Sequence, residues 1–283
     1  MKKNLLTKQY LSMLNQIKET TNFLGKKNPY EKSPEIGIVL GTGLGGLVDD
    51  IKIDFEIGYE DIPNFPTSTV ESHRGKLIFG ELSGKQVLVM QGRFHYYEGY
   101  TLHEVAFPVR VFKLLGIKNL LISNAAGGLN PNFKLGDIMI ISDHINQFPG
   151  NPLIGENIDE LGTRFTDMFE SYSKKLIGKA ESAALNLGIK IQKGIYVGLP
   201  GPMLETPAEY NYLRIIGGDA VGMSTVPEII AAKHAGLNCF ACSVITDLCH
   251  GIIKPVNFKQ ILNTASKAEP DLTSIFKELI NQL

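Results

Sequence analysis

Cysteine is scarce. Three in 283 residues, an odd number, cannot build a disulfide framework and suit a reducing compartment. Cys239 and Cys242 form a C-x-x-C, but no second pair completes a zinc site. They lie in an apolar stretch, 237–245, that reads as a strand, so both are expected to be buried, inert thiols. Neither charge is in excess: Lys+Arg 28 against Asp+Glu 29 leaves −1, without the basic surplus that nucleic acid or an anionic membrane surface demands. No apolar run approaches the ~18 residues of a membrane span. Lys8, Gln9, Asn15 and Gln16 interrupt any signal-peptide core at the start. A cytoplasmic protein is expected. No repeat, low-complexity tract or Pro/Gly/Ser linker divides the chain, so 1–283 is read as one domain, with 1–34 as an N-terminal helix and lead-in. There is no Gly-Lys-Ser/Thr to mark a Walker loop, and His103, His144, His234 and His250 lack metal-ligand spacing. For His144 and His250 a polar loop role is expected over one lining a pocket, and no metal is expected.

The remainder is an ordinary globular composition, 43% hydrophobic and 20% charged. Leu11, Leu14 and Ile17 recur at helical spacing. Buried strands are predicted at 35–40, 119–124, 137–142, 194–197 and 239–245, and a hairpin at 76–82 and 86–90 around Ser83-Gly84. Thr101-Leu-His-Glu104, Thr206-Pro-Ala-Glu209 and Thr225-Val-Pro-Glu228 fit the capping box that opens a helix. Periodic stretches at 169–187 and 258–283 predict two long helices. This alternation implies an α/β fold around a central mixed, mostly parallel sheet flanked by helices.

Gly41-Thr-Gly-Leu-Gly-Gly46 follows the first strand. It satisfies G-x-G-x-x-G, so a dinucleotide-binding oxidoreductase must be weighed, with Glu60 and Asp61 near the distance where the ribose-binding acid belongs. A phosphate cradle and a plain tight turn are the other readings. The stretch Gln91–Tyr100 places Arg93, His95, Tyr96, Tyr97 and Glu98 after a buried strand. Arg93 can grip phosphate through paired N–H bonds, and His95 adds a donor if a carboxylate favours its protonated form. The alternative is a solvated loop with an aromatic anchor. Small residues at 123–130 either expose backbone amides to a flat ligand or simply turn the chain. Ser224 precedes a capping-box threonine, where helix N–H groups favour an anion. Glu205 holds the same position at another helix, and there a solvated carboxylate competes with a ligand contact.

Together these segments resemble purine nucleoside phosphorylases of the trimeric kind, in the purine nucleoside and methylthioadenosine phosphorylase family, from Ile36 to about Asp247. The carrying strings are 39–46, His73-Arg-Gly-Lys-Leu, 91–100, 124–130, 201–206 and 219–228, in that order. The resemblance implies phosphate-dependent cleavage of a purine nucleoside to free base and (deoxy)ribose 1-phosphate, with no cofactor and inorganic phosphate as co-substrate. It sets Thr42, His73, Arg93, His95, Ala125 and Ser224 around the phosphate, with Glu98 orienting His95. It assigns Tyr97 and Met223 to the ribose, and Ala126, Leu204, Glu205 and Asp247 to the base. Arg164-Phe165 matches a pair whose Phe reaches a neighbouring subunit's site, which implies a homotrimer. Three positions depart from the family pattern. Asp247 stands where 6-oxopurine enzymes usually carry Asn, which opens 6-aminopurine turnover. Phe258 falls roughly where a His often faces the 5′-hydroxyl, as an apolar 5′ substituent would want, or it faces the core. Leu204 replaces a common Phe.

Overall fold

The computed structural model describes residues 2–42, 44–67, 75–253 and 255–283, with side chains from Ser12 onward. Helix α1, Lys2–Lys27, buries Ile17, Thr20 and Leu24 completely. Strand β1, Ile36–Leu40, is buried throughout, as an apolar run between two neighbours should be. After it come a 3₁₀ turn, Gly46–Asp50, and β2, Lys52–Gly58. β3, Lys76–Leu82, and β4, Lys85–Gln91, form the hairpin expected around Ser83-Gly84. Both turn residues have positive φ, 51° and 74°, matching the twist of the flanking strands.

β4 and β5, Asn119–Gly128, run parallel to β1 on either side of it. β6 is Ile138–Asn146, β7 Ile191–Gly198, β8 Ala220–Gly222 and β9 Asn238–Leu248. The strand order is β2-β3-β4-β1-β5-β8-β7-β6-β9, and β9 returns to pair with β5 from Asn119↔Asn238 to Gly128↔Leu248. Five strands, β5-β8-β7-β6-β9, therefore close into a ring, and β1, β4, β3 and β2 extend from β5 as an open sheet. Among the described residues, five of the nine pairings are parallel and four antiparallel, so the sheet is mixed, with parallel pairs ahead by one.

The helices are α2, Leu102–Val105; α3, Phe107–Leu115; α4, Lys174–Leu187; α5, Pro207–Ile215; α6, Val226–His234; and α7, Phe258–Asn281. Capping boxes open α2, α5 and α6 at Thr101, Thr206 and Thr225. Two sequence expectations are corrected. The helix predicted from Phe169 starts at Lys174, because Ser173 caps it and Asp167 instead accepts the Phe169 N–H at 2.9 Å in a turn. The strand expected to stop near Asn124 runs on to Gly128, held by β9 on one side and β8 on the other, with a bulge at Ala126/Gly127. All three cysteines are buried free thiols. Burial raises Cys239 to about 12 and pushes Cys242 up as well, so neither forms a thiolate near neutral pH.

Candidate active site

Because β1, β4, β5 and β9 are mutually parallel, their carboxyl ends lie along one edge of the sheet, where open α/β folds bind ligands. A cavity of about 380 Å³ sits there. The strand ends supply most of its lining: Gly41 and Thr42 after β1, Arg93, His95 and Tyr97 after β4, Asn124–Gly127 within β5, and Thr246 and Asp247 at the end of β9. Gly222, Met223 and Ser224 come from β8 and the entry to α6, and Leu204 and Glu205 from the segment before α5.

Arg93 is 2% exposed, and its guanidinium is held on several sides. Nη1 donates to Ser224 Oγ and Thr225 Oγ1, both at 3.1 Å, and faces Glu228 Oε1 at 3.5 Å. Nη2 donates to the carbonyls of Val39, at 3.4 Å, and Ser123. Asn124 Nδ2 donates to the same Thr225 hydroxyl at 2.9 Å. Thr225 has φ 69°, which a β-branched residue resists at a cost of about 1–3 kcal/mol. Glu228 holds it there, accepting the Thr225 N–H at 2.6 Å, while Tyr196 OH accepts the Ser224 N–H at 3.3 Å. The result is a preset wall of cation, hydroxyls and amides. Gly41 is needed in this wall, since a Cβ on it would lie 2.6 Å from the Ser123 carbonyl oxygen.

His95 stacks on Tyr97, with ring centroids 4.6 Å apart. Glu98 Oε1 accepts the His95 backbone N–H at 2.8 Å and lies 2.9 Å from Nδ1. Burial lowers the imidazole's pKa, and Arg93 adds to this against the pull of Glu98. The lowered value favours a neutral imidazole, whose Nδ1–H is placed to donate to Glu98. Glu98 itself stands behind His95 and does not line the cavity.

At the other end two carboxyls meet the cavity. Burial raises the pKa of Glu205, and the charge of nearby Asp247 adds to it. Burial also raises Asp247, against hydrogen bonds with Cys249 and Thr246. Thr246 Oγ1 donates to Asp247 Oδ1 at 3.1 Å and Cys249 Sγ to Oδ2 at 3.4 Å. Val256, Phe258 and Ile261 add an apolar wall from the start of α7.

Of the residues singled out in the sequence, the cavity brings together Thr42, Arg93, His95, Tyr97, Ala125, Ala126, Leu204, Glu205, Met223, Ser224 and Asp247. Phe165 is 90% exposed and does not line it, and His73 lies outside the described residues. Phe258 faces the cavity rather than the core and is 55% exposed. Sequence reasoning missed Tyr196 and Thr246, which nothing local distinguishes, and Glu228, whose place in a capping box was visible but whose reach to Arg93 was not. The oxidoreductase reading fails on geometry. The loop after β1 leads into a 3₁₀ turn and an antiparallel strand rather than into an α-helix, and Glu60 and Asp61 lie in a turn beyond β2.

The family model described as the phosphorylase superfamily matches residues 35–281. "Purine nucleoside phosphorylase 1" of Geobacillus stearothermophilus is 50% identical over 268 residues, 94% of this chain and 97% of that protein. This chain belongs to the purine nucleoside phosphorylases. "Purine nucleoside phosphorylase" of Mus musculus is 46% identical over 262 residues, 89% of this chain and 90% of its own. Among solved structures, the Schistosoma mansoni purine nucleoside phosphorylase superposes with a TM-score of 0.88 at 43% identity. It covers 95% of this chain and is covered to 96–97%, in complexes with inosine and with adenosine. A schistosoma enzyme with hypoxanthine fits equally well.

Proposed function

We propose that this protein cleaves the N-glycosidic bond of purine (deoxy)ribonucleosides with inorganic phosphate, releasing the base and (deoxy)ribose 1-phosphate. The observation that carries the reading is one cavity with a buried cation–hydroxyl wall at one end and a carboxyl pair at the other. Phosphate sits against Thr42, Arg93, Ser224 and the Ala125 amide, with His73 joining them as the family pattern implies. His95 Nε2 accepts the hydrogen of hydrogen phosphate while Glu98 holds the ring. The sugar packs on Tyr97 and Met223, and the flat base lies along Ala126 and Leu204, where β5 presents small residues.

The C1′–N9 bond breaks, its electron pair leaves with the purine, and a phosphate oxygen forms the new bond to C1′. Phosphate stabilises the positive charge that develops on the sugar, and hydrogen bonding or protonation at N7 by Asp247 disperses the charge gathering on the base. Glu205 accepts from the N1–H of a 6-oxopurine, so inosine and guanosine are the favoured substrates. Phosphate is the co-substrate, and no metal or organic cofactor is assigned. The three buried thiols suit a reducing compartment, the cytoplasm. Among the described residues no helix is long and apolar enough to cross a membrane. The exposed Phe165 supports a homotrimer in which it completes a neighbour's site.

The test is the initial rate of base release from inosine, guanosine, adenosine and methylthioadenosine, with and without phosphate. Phosphate-dependent release from inosine and guanosine is expected. The apolar wall of Val256, Phe258 and Ile261 makes methylthioadenosine the informative fourth substrate. Absence of phosphate-dependent release from all four would overturn the reading.

A further inference from the structure

The outer end of the sheet reaches the phosphate end of the cavity through one side chain. β2, last in the strand order on that side, leads into a 3₁₀ turn, Tyr59–Asp61, whose first residue is 1% exposed. The Tyr59 hydroxyl donates to the Gly92 carbonyl at 2.8 Å, a bond between two buried residues. Burial holds the phenol's pKa well above its ordinary value, so the hydroxyl keeps its proton and stays a donor. Its place is also set independently of that bond. The Tyr59 N–H donates to the Gly75 carbonyl at 2.8 Å, and the Gly75 N–H to the carbonyl of Gln91, where β4 ends, at 3.1 Å. The ring packs against Phe65 and Phe94, with centroids 5.4 and 5.1 Å away.

Gly92 is where the chain leaves β4 and turns to present Arg93, and its φ of 106° lies in the region open to glycine. The freedom that permits this turn permits others too: with no Cβ at Gly92, the peptide joining it to Arg93 rotates at little steric cost. Such a rotation would carry the Gly92 carbonyl off the Tyr59 hydroxyl and re-aim the Arg93 side chain. Ser224, Thr225 and two carbonyls hold the guanidinium at its tip. At its root, the direction of the side chain depends on Gly92. We infer that Tyr59 is a positioning residue for the phosphate end, its hydroxyl selecting the one Gly92 conformation from which Arg93 reaches its place in the wall. The inference rests on the phosphate-end assignment made above.

Removing this donor takes a hydrogen bond from a carbonyl in buried surroundings, where water is a poor replacement. Turning the Gly92–Arg93 peptide toward another partner relieves that loss, at the expense of the guanidinium's aim. The penalty then falls on phosphate binding and spares the nucleoside end, whose lining comes from other segments.

The test is steady-state kinetics, with phosphate varied at saturating inosine and inosine varied at saturating phosphate. Tyr59→Phe keeps the ring and its packing and removes one oxygen. It is expected to raise the KM for phosphate by about tenfold, the worth of one hydrogen bond, and to leave that for inosine within about twofold. Phe65→Leu loosens the same aromatic cluster and leaves the hydroxyl, so it should lower stability in urea with the phosphate KM unmoved. In an Arg93→Ala background, Tyr59→Phe should raise the phosphate KM no further, because no guanidinium remains to be placed. A phosphate KM that stays put in Tyr59→Phe, equal rises for both substrates, or a rise matched by Phe65→Leu overturns the role of Tyr59. So does an undiminished effect in the Arg93→Ala background. A native protein whose base release does not depend on phosphate overturns the phosphate reading itself, and this role with it.

Discussion

Arg93 has no substitute in this site: a buried guanidinium fixed between Ser224, Thr225 and two carbonyls offers a preset cation that needs no reorganisation. Arg93→Ala is expected to lower kcat/KM for phosphate by about a hundredfold to a thousandfold. Arg93→Lys should recover only part, because an ammonium keeps the charge and loses the fork. Steady-state kinetics with phosphate varied and inosine saturating checks both, and unchanged phosphate kinetics would remove Arg93 from the site. Asp247→Asn probes the opposite end. An amide donates to O6 whatever the pH, so adenosine turnover should fall by about tenfold relative to inosine. Burial raises the Asp247 pKa, so ionising it costs the folded state stability as pH climbs through that raised value. The melting temperature of Asp247→Asn, relative to the native one, should therefore rise as pH climbs from the unfolded carboxylate value, about 3.9, through the raised folded one. Most residues of the cavity were legible because they sit in short polar strings at strand ends. Those that hold them were not: Tyr196 reads as one more apolar-strand aromatic, and only the folded chain brings its hydroxyl to the Ser224 amide.

Capping boxes marked three helix starts because their chemistry is local: a threonine oxygen and a glutamate three residues on meet the same few N–H groups wherever the helix packs. Phe169 misled because periodicity cannot see Ser173 and Asp167 competing for the backbone just upstream of α4. The extent of β5 was hidden for a different reason. Asn124-Ala-Ala-Gly-Gly128 has little strand propensity of its own, and β8 and β9 impose the extended form from both sides. Where β1 ends against β5, no side chain fits at Gly41: an added Cβ would meet the Ser123 oxygen at 2.6 Å and the Asn124 Cα at 2.8 Å, both backbone. Gly41→Ala must push the two strands apart where the cation–hydroxyl wall begins. It is expected to destabilise the protein by about 1–3 kcal/mol in urea unfolding and to raise the KM for phosphate well above that for inosine.

Ring closure by β9 is a property of the entire chain, and no window of sequence carries it, since the strands that meet lie more than a hundred positions apart. Assembly beyond one chain is equally invisible locally, yet Phe165 at 90% exposure gives it a handle. A homotrimer of about 93 kDa, against 31.1 kDa for one chain, is the expected mass by light scattering. Phe165→Ala should raise the KM for inosine by about tenfold and leave that for phosphate unchanged. One histidine should also make stability depend on mild acidification. His144, half-buried on β6 beside Tyr172 OH at 3.1 Å, has its pKa lowered chiefly by desolvation, with Asp143 opposing. A histidine depressed in this way contributes stability above its unfolded value, near 6.5, and loses it as pH falls toward the depressed one. His144→Gln should accordingly show a smaller drop in unfolding free energy between pH 7.5 and pH 5 than the native protein, whatever its absolute stability. The same closing strand bears on how the protein is made. At a synthesis rate of about 5–20 residues per second, β5 leaves the ribosome on the order of ten seconds before β9. Until β9 arrives, the far side of β5 is an open apolar edge, able to pair with the same edge on another nascent chain. Translation that stalls in α6 would leave a chain with β1 on one side of β5 and nothing on the side that β9 covers, and such truncated products are where aggregation should concentrate.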